Sequence, residues 1–268
     1  FLDKQQDKFK LSLLSLVLLS IFFSPVGSAA AASTSNEKPY FQDGASASTS
    51  GSDNGTIGIG KESKAAHGAI AIGQKAKAKA RHNIAIGYDT QAGDHKDHVN
   101  SVAVGNNIKI DGTEAVAIGS AAKAGEGSVV LGRQANAEKI NHAVVIGHST
   151  VVDGTEAVAI GKKSKAGKGS VVLGSDASAQ KVEQAVVIGH SASASKAKSI
   201  VIGANAKADG YGSISIGGDD LKTTKYQPDD TVQGQVQSQD QSQDQSQTTK
   251  ITTASGGASI AIGGGSLA

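Results

Sequence analysis

The 268-residue sequence contains no cysteine, methionine or tryptophan, and phenylalanine and tyrosine together contribute only nine residues. Without cysteine, the fold can rely on neither disulfides nor zinc–thiolate sites. The shortage of aromatic residues argues against a large globular core, which normally depends on bulky side chains. The formal charge of +2 gives no bulk electrostatic reason to expect a nucleic-acid partner.

The chain is rich in glycine instead, with 34 residues, and its apolar side chains are mainly alanine, valine and isoleucine. Thirteen glycines each close a pattern of aliphatic, small or apolar, aliphatic and glycine, and the first twelve follow one another at intervals of 13 to 18 residues. A period near 14 is too short for a pair of helices and suits one coil of a β-solenoid. The glycines, which we expect at a tight turn of every coil, are Gly60, Gly73, Gly87, Gly105, Gly119, Gly132, Gly147, Gly161, Gly174, Gly189, Gly203, Gly217 and Gly263.

One coil shows how the repeat is expected to fold. Ile70 and Ile72 alternate with Ala71, so a strand places both isoleucines on one face, which we assign to the interior of the coil. After the glycine, Ala76 and Ala78 alternate with lysines and predict a second short strand whose small residues face the same interior. Two strands and two tight turns then account for each coil.

The middle residue of the first strand is assigned to the outward face, and it is uncharged in every coil. A strand that is apolar on both faces is buried on both faces, so we predict that another copy of the chain covers the outward side. The residues predicted to face this interface are Ala71, Ala85, Ala103, Ala117, Val130, Val145, Ala159, Val172, Val187 and Val201.

The outward positions of the second strand are mostly polar and include a row of lysines. Members of this row are Lys64, Lys77, Lys123, Lys165 and Lys207. We interpret the row as a solvated surface that keeps the protein soluble.

The remaining segments set the domain organisation. Residues 1–32 have three lysines among the first ten positions, continue with an apolar run at 11–23 and end in small residues, which predicts a secretory signal peptide. The alternative is a membrane anchor, but the run falls short of the ~20 residues that a spanning helix needs. We expect a flexible leader at 33–54, repeats at 55–217, a polar low-complexity insertion at 218–257 and a further repeat at 258–268. Because the sequence begins without methionine and stops within a repeat, we expect a fragment at both ends.

Residues 83–87, 100–105 and 115–120 resemble the head repeats of YadA-like trimeric autotransporter adhesins. The resemblance covers residues 55–268 and combines the period, the alternation, the corner glycine and the export signal. It implies an all-β fold, a left-handed parallel β-roll of about 14-residue coils, in which three chains form a homotrimer on the outer membrane surface of a Gram-negative bacterium.

The same resemblance implies a function in adhesion and virulence, through attachment to a host extracellular matrix protein or cell-surface receptor. Membrane attachment would then come from a C-terminal anchor that is absent from this sequence. In such adhesins an Asn-Ser-Val-Ala-Ile-Gly motif is implicated in collagen binding. The candidate host-ligand motif here is Asn100, Ser101, Val102, Ala103, Val104 and Gly105.

Other function classes fit the residues less well. A hexapeptide-repeat acyltransferase, another trimeric left-handed solenoid, needs coils of 18 residues, and an ice-binding solenoid needs a flat row of threonines. The phosphate-loop-like run at 55–62 has Glu62 where a Ser or Thr must meet magnesium. His95 and His98 are two histidines in a short insertion, which we interpret as solvated. We therefore expect no enzymatic activity, no cofactor and no metal.

Overall fold

The computed structural model describes residues 39–49, 51–53, 55–220 and 250–264. The predicted signal peptide, residues 33–38 of the predicted leader, most of the insertion and residues 265–268 lie outside these ranges. The described residues form strands and turns only, so no helix that could span a bilayer occurs among them.

The described residues form a two-sheet parallel solenoid, in which each coil adds one strand to each sheet. The first sheet contains β1 (Tyr40–Gln42), β3 (Ile57–Ile59), β5 (Ile70–Ile72), β7 (Ile84–Ile86), β9 (Val102–Asn106), β11 (Val116–Ser120), β13 (Val129–Leu131), β15 (Val144–Ile146), β17 (Val158–Ile160), β19 (Val171–Leu173), β21 (Val186–Ile188), β23 (Ile200–Ile202), β25 (Ile214–Ile216) and β29 (Ile260–Ile262). The second sheet contains β2 (Ser46–Ala47), β4 (Lys64–Ala65), β6 (Lys77–Ala78), β8 (Gln91–Ala92), β10 (Lys109–Ile110), β12 (Lys123–Ala124), β14 (Asn136–Ala137), β16 (Val151–Val152), β18 (Lys165–Ala166), β20 (Ser178–Ala179), β22 (Ser193–Ala194), β24 (Lys207–Ala208) and β28 (Thr253–Ala254). An antiparallel pair, β26 (Asp219–Asp220) and β27 (Lys250–Ile251), lies within the predicted insertion.

The register between coils stacks like residues on like. Ala71 pairs with Ala85, and Ile72 pairs with Ile86. The prediction of a parallel β-solenoid with coils of about 14 residues is therefore confirmed.

The interior of the coils is lined by small side chains from both sheets. Ala76 and Ala78 of the second sheet are fully buried, as predicted. The middle residue of the first strand is also fully buried, so the prediction that it faces outward is wrong. This correction applies to Ala71, Ala85, Ala103, Ala117, Val130, Val145, Ala159, Val172, Val187 and Val201, all of which are 0 % exposed in the single chain.

The reason for the correction is the thinness of the coil. The alternation shows that the isoleucines and the small residue lie on opposite faces of the strand. It does not show which of the two faces is interior. With two sheets joined by tight turns, small side chains fill the space between them. At the first full coil the interior position is Gly58, where an added Cβ would lie 2.5 Å from the ring of Phe41.

The ends of the stack also differ from the predicted boundaries. β1 pairs with β3, and β2 pairs with β4, so the solenoid already includes part of the predicted leader. At the other end, β28 pairs with β24 although Thr253 and Ala254 fall inside the predicted insertion. The insertion therefore lies within one coil, between its first strand β25 and its second strand β28.

Candidate interaction surfaces

The outward face of the first sheet consists of two columns of isoleucine, valine and leucine. The outward residues are half-buried in most coils, but Ile118 is 43 % exposed, and Ile188 and Ile202 are each 37 % exposed. At the end of the stack, Ile260 is 57 % and Ile262 is 66 % exposed. The register keeps the columns continuous, since Ile188 pairs with Ile202 on the neighbouring strand. An apolar face that runs along a whole stack is larger than a single soluble chain normally leaves in water.

The glycine column forms a corner of every coil at the edge of this face. All thirteen glycines have φ between +111° and +146°, a backbone conformation that residues with a Cβ rarely adopt. In addition, a Cβ built on Gly73 would lie 2.4 Å from the carbonyl oxygen of Gly87 in the next coil. Both the conformation and the close approach of the backbone therefore require glycine.

Buried threonines hydrogen-bond to the glycine corner from inside. Thr90 Oγ1 donates to the carbonyl oxygen of Gly105 at 2.9 Å, and Thr252 Oγ1 donates to that of Gly263 at 2.5 Å. Each bond joins one coil to the next. Thr252 lies 34 positions after Gly218 in the sequence, yet its Oγ1 also donates to the carbonyl oxygen of Gly218 at 2.8 Å.

A second column of buried polar residues precedes the first strand. Ser128 Oγ donates to the carbonyl of Ile140 at 2.8 Å and accepts the N–H of Ala143 at 3.0 Å. Ser170 makes the equivalent bonds to Val182 and Ala185. This column was not predicted, although the sequence contains its signal: the position before the strand holds either alanine or a small polar residue.

The predicted host-ligand motif is divided by the fold. Asn100 is exposed at a turn with φ +57°. Ser101 and Ala103 are fully buried, and the Ser101 hydroxyl donates to the carbonyl of Gly112 at 3.0 Å. Val102 and Val104 lie on the outward apolar face and are half-buried. The six residues therefore do not form one accessible site in the single chain.

The lysine row lies on the outward face of the second sheet, as expected from the alternation. In its middle part, Glu138 accepts hydrogen bonds from Lys123 Nζ at 2.6 Å and from Lys109 Nζ at 2.9 Å. The bond from Lys123, followed by that from Lys109, lowers the pKa of Glu138 to about 2. Glu138 thus offsets part of the positive charge of these two lysines from within the fold.

The longest regular coil carries its extra residues in the turn after β8. In this loop His98 Nδ1 lies 2.5 Å from Asp94 Oδ1, and His95 Nδ1 lies 3.2 Å from Asp97 Oδ2. No cluster of three or more metal-binding side chains occurs in the described part of the chain.

A carboxylate organises the turn near the start of the stack. Asp53 Oδ1 accepts the backbone N–H of Gly68 at 2.8 Å and that of Gly55 at 3.1 Å. The hydrogen bond from Gly68 is the main cause of a lowered pKa for Asp53. Because Gly68 belongs to the next coil, Asp53 joins two coils at this corner.

Some of these coils match a known family of protein repeats. The family model of the YadA head domain repeat (2 copies) matches residues 65–90, 141–164, 183–206 and 194–219, which together make up about a third of the chain. Each matched segment contains two consecutive strands of the first sheet with their glycine corners. No curated protein matches the chain. The resemblance derived from the sequence is therefore confirmed for the repeat unit.

Proposed function

We propose that this chain, parts of which match the YadA head domain repeat, forms the head of a trimeric surface adhesin that attaches a Gram-negative bacterium to host matrix or host cells. The family supports an adhesin-type function. The observation that carries the proposal is the continuous apolar face of the first sheet, which a single chain leaves half-exposed. Burying this face against further copies of the chain removes it from water.

The proposed interface is made by the residues that flank the middle position, not by the middle residues themselves. Val186, Ile188, Ile200 and Ile202 lie on the outward face in neighbouring coils. Three chains would then turn their first sheets toward a common axis and leave their second sheets in solvent. The exposed apolar face and the family resemblance thus both support a homotrimer.

Export and surface location are part of the proposal. The pattern of residues 1–32 supports secretion across the inner membrane. A role in virulence follows from attachment to the host and is proposed with it.

We also propose that the protein is not an enzyme. The alternative acyltransferase interpretation involves three hexads per coil, whereas each coil here has two strands, one in each of two sheets. The observed coil therefore favours the adhesin.

If neighbouring copies cover the first sheet, they also cover Val102 and Val104 of the predicted host-ligand motif. Asn100 at the turn and the half-buried Gly105 at the corner are then the residues of that motif left accessible to a ligand, and other contacts come from the remaining corners and the second sheet.

The experiment is an attachment assay with the full chain. Beads that carry the chain are incubated with immobilised matrix proteins, including collagen, and with cultured host cells, and beads that carry an unrelated solenoid are the control. We expect attachment to at least one matrix protein or cell type. Attachment no greater than the control on every surface contradicts the adhesin function, and turnover of acetyl-coenzyme A by the chain supports the acyltransferase instead.

A further inference from the structure

A basic cleft lies on the outer side of the second sheet, near the start of the stack. It has a volume of about 450 Å³, and its walls are the segment 48–49, the second sheet and the loop after β8. Four of the lining residues are lysines, namely Lys64, Lys77, Lys79 and Lys96, and the cleft also contains Asp94 and His95. Its lining residues include no aliphatic side chain of valine, leucine or isoleucine and no phenylalanine, tyrosine or tryptophan.

The positive charges of the cleft are set close together by the register. Lys64 and Lys77 are direct partners on adjacent parallel strands, β4 and β6, which are ~4.8 Å apart. Like charges directly opposite each other destabilise a sheet. No carboxylate forms an ion pair with either lysine among the described residues. Farther along the second sheet, by contrast, Glu138 bridges Lys109 and Lys123 and offsets part of their charge.

A second basic cavity adjoins the first. It has a volume of about 550 Å³ and shares Thr49 and Lys96 with the cleft, while Arg81 and His67 complete its lining. Lys96 and Arg81 have no ion-pair partner in the described part of the chain either. The two cavities therefore form one basic track, in a chain whose formal charge is only +2.

The loop that carries Lys96 is held by buried hydrogen bonds. Asn83 is fully buried, and its Nδ2 donates to the carbonyl of His98 at 2.8 Å and to that of Ala92 at 2.9 Å. The contact between Asp94 and His98 closes the loop and holds the one carboxylate of the cleft beside an imidazole. A preorganised cluster of cations loses little conformational entropy when an anion binds.

We infer that this track binds a linear sulfated glycan. The inference rests on the proposed function, because an adhesin would meet such chains on a host surface. Sulfate groups spaced along a sugar chain match cations spaced along the coils, and release of counterions from the polyanion favours binding. A peptide ligand lacks an apolar anchor here, and single-stranded nucleic acid lacks the aromatic platforms on which bases stack. The track lies on the sheet that the proposed trimer leaves in solvent.

The experiment measures binding of heparin to the full chain as a function of salt. The test variant is Lys64→Gln/Lys77→Gln/Lys96→Gln. The control variant, Lys165→Gln/Lys168→Gln/Lys207→Gln, removes the same charge from the same sheet and its turns farther along the stack. The first variant should bind ~10-fold or more weakly at physiological salt, with a reduced slope of log affinity against log salt, and the control should bind like the wild type.

Three results would overturn the inference. They are an equal loss in both variants, equal binding of desulfated heparin, and equal binding of single-stranded DNA of the same charge. The outcome is separable from the proposed function, because attachment of beads to host cells can be repeated after enzymatic removal of sulfated glycans. Attachment that persists without them, together with absent heparin binding, contradicts the glycan site and leaves the adhesin function intact.

Discussion

Gly87 meets the carbonyl oxygen of Gly105 in the next coil so closely that a Cβ on Gly87 would lie 1.6 Å from that oxygen. We predict that Gly87→Ala destabilises the solenoid by about 3 kcal/mol or more, because the backbone of two coils must shift and alanine resists the φ of +126°. Gly257→Ala is the control, since nothing lies within 4 Å of the added Cβ and φ is not positive. Denaturant unfolding of both variants measures the difference, and an equal effect would be evidence against the corner role.

Asn83 and Ser63 provide a matched pair of buried polar residues with opposite expectations. Asn83 makes three hydrogen bonds, including one from the N–H of Ser101 at 2.9 Å, whereas the Ser63 hydroxyl has no partner in the described residues. Asn83→Ala should cost about 2 kcal/mol, because it leaves buried backbone groups unpaired, and Ser63→Ala should leave stability unchanged or raise it. Thermal unfolding tests both. Equal effects of the two substitutions would show that the polar contacts inside the coil do not contribute as assigned.

Glu138 should make stability depend on pH in the acid range. Its pKa is about 2 in the folded chain, below the ordinary value of 4.5, so its contribution is present above about pH 4.5 and is lost as pH falls toward 2. We expect Glu138→Gln to destabilise the protein by about 1 kcal/mol at pH 7, a small value because both partner lysines are partly exposed to solvent. The difference between wild type and variant, measured by denaturant unfolding, should shrink toward zero near pH 2. A difference that stays constant with pH would contradict the bridging role.

The sequence was sufficient to predict the period, the two strands per coil, the corner glycines and the small interior of the second strand. Each of these follows from spacing and alternation alone. The outward face of the first strand could not be predicted in this way, because Ile70 and Ala71 are both apolar and their alternation is compatible with either orientation. The deciding factor is the distance between two sheets, which is a property of the folded coil.

The candidate surfaces were harder to predict than the fold. The lysine row was predicted, but the basic cleft depends on a loop that folds back over the sheet and brings Lys96 near Lys64 and Lys77. The spacing of the lysines in the sequence does not predict that Lys96 lies near the other two. Residues 100–105 are contiguous in the sequence and were predicted as one site. In the strand, however, Ser101 points into the coil and Val102 points outward.

The central claim, that the outward isoleucines join copies of the chain, is tested most directly by sedimentation of two matched variants. Ile188→Asp/Ile202→Asp places two carboxylates in register on the first sheet, and Ser178→Asp/Ser193→Asp places two in register on the second. We predict that the wild type and the serine variant sediment as trimers, and that the isoleucine variant sediments as a monomer with an unchanged β-sheet circular dichroism spectrum. A wild type that is monomeric at micromolar concentration, or an isoleucine variant that remains trimeric, would contradict the account.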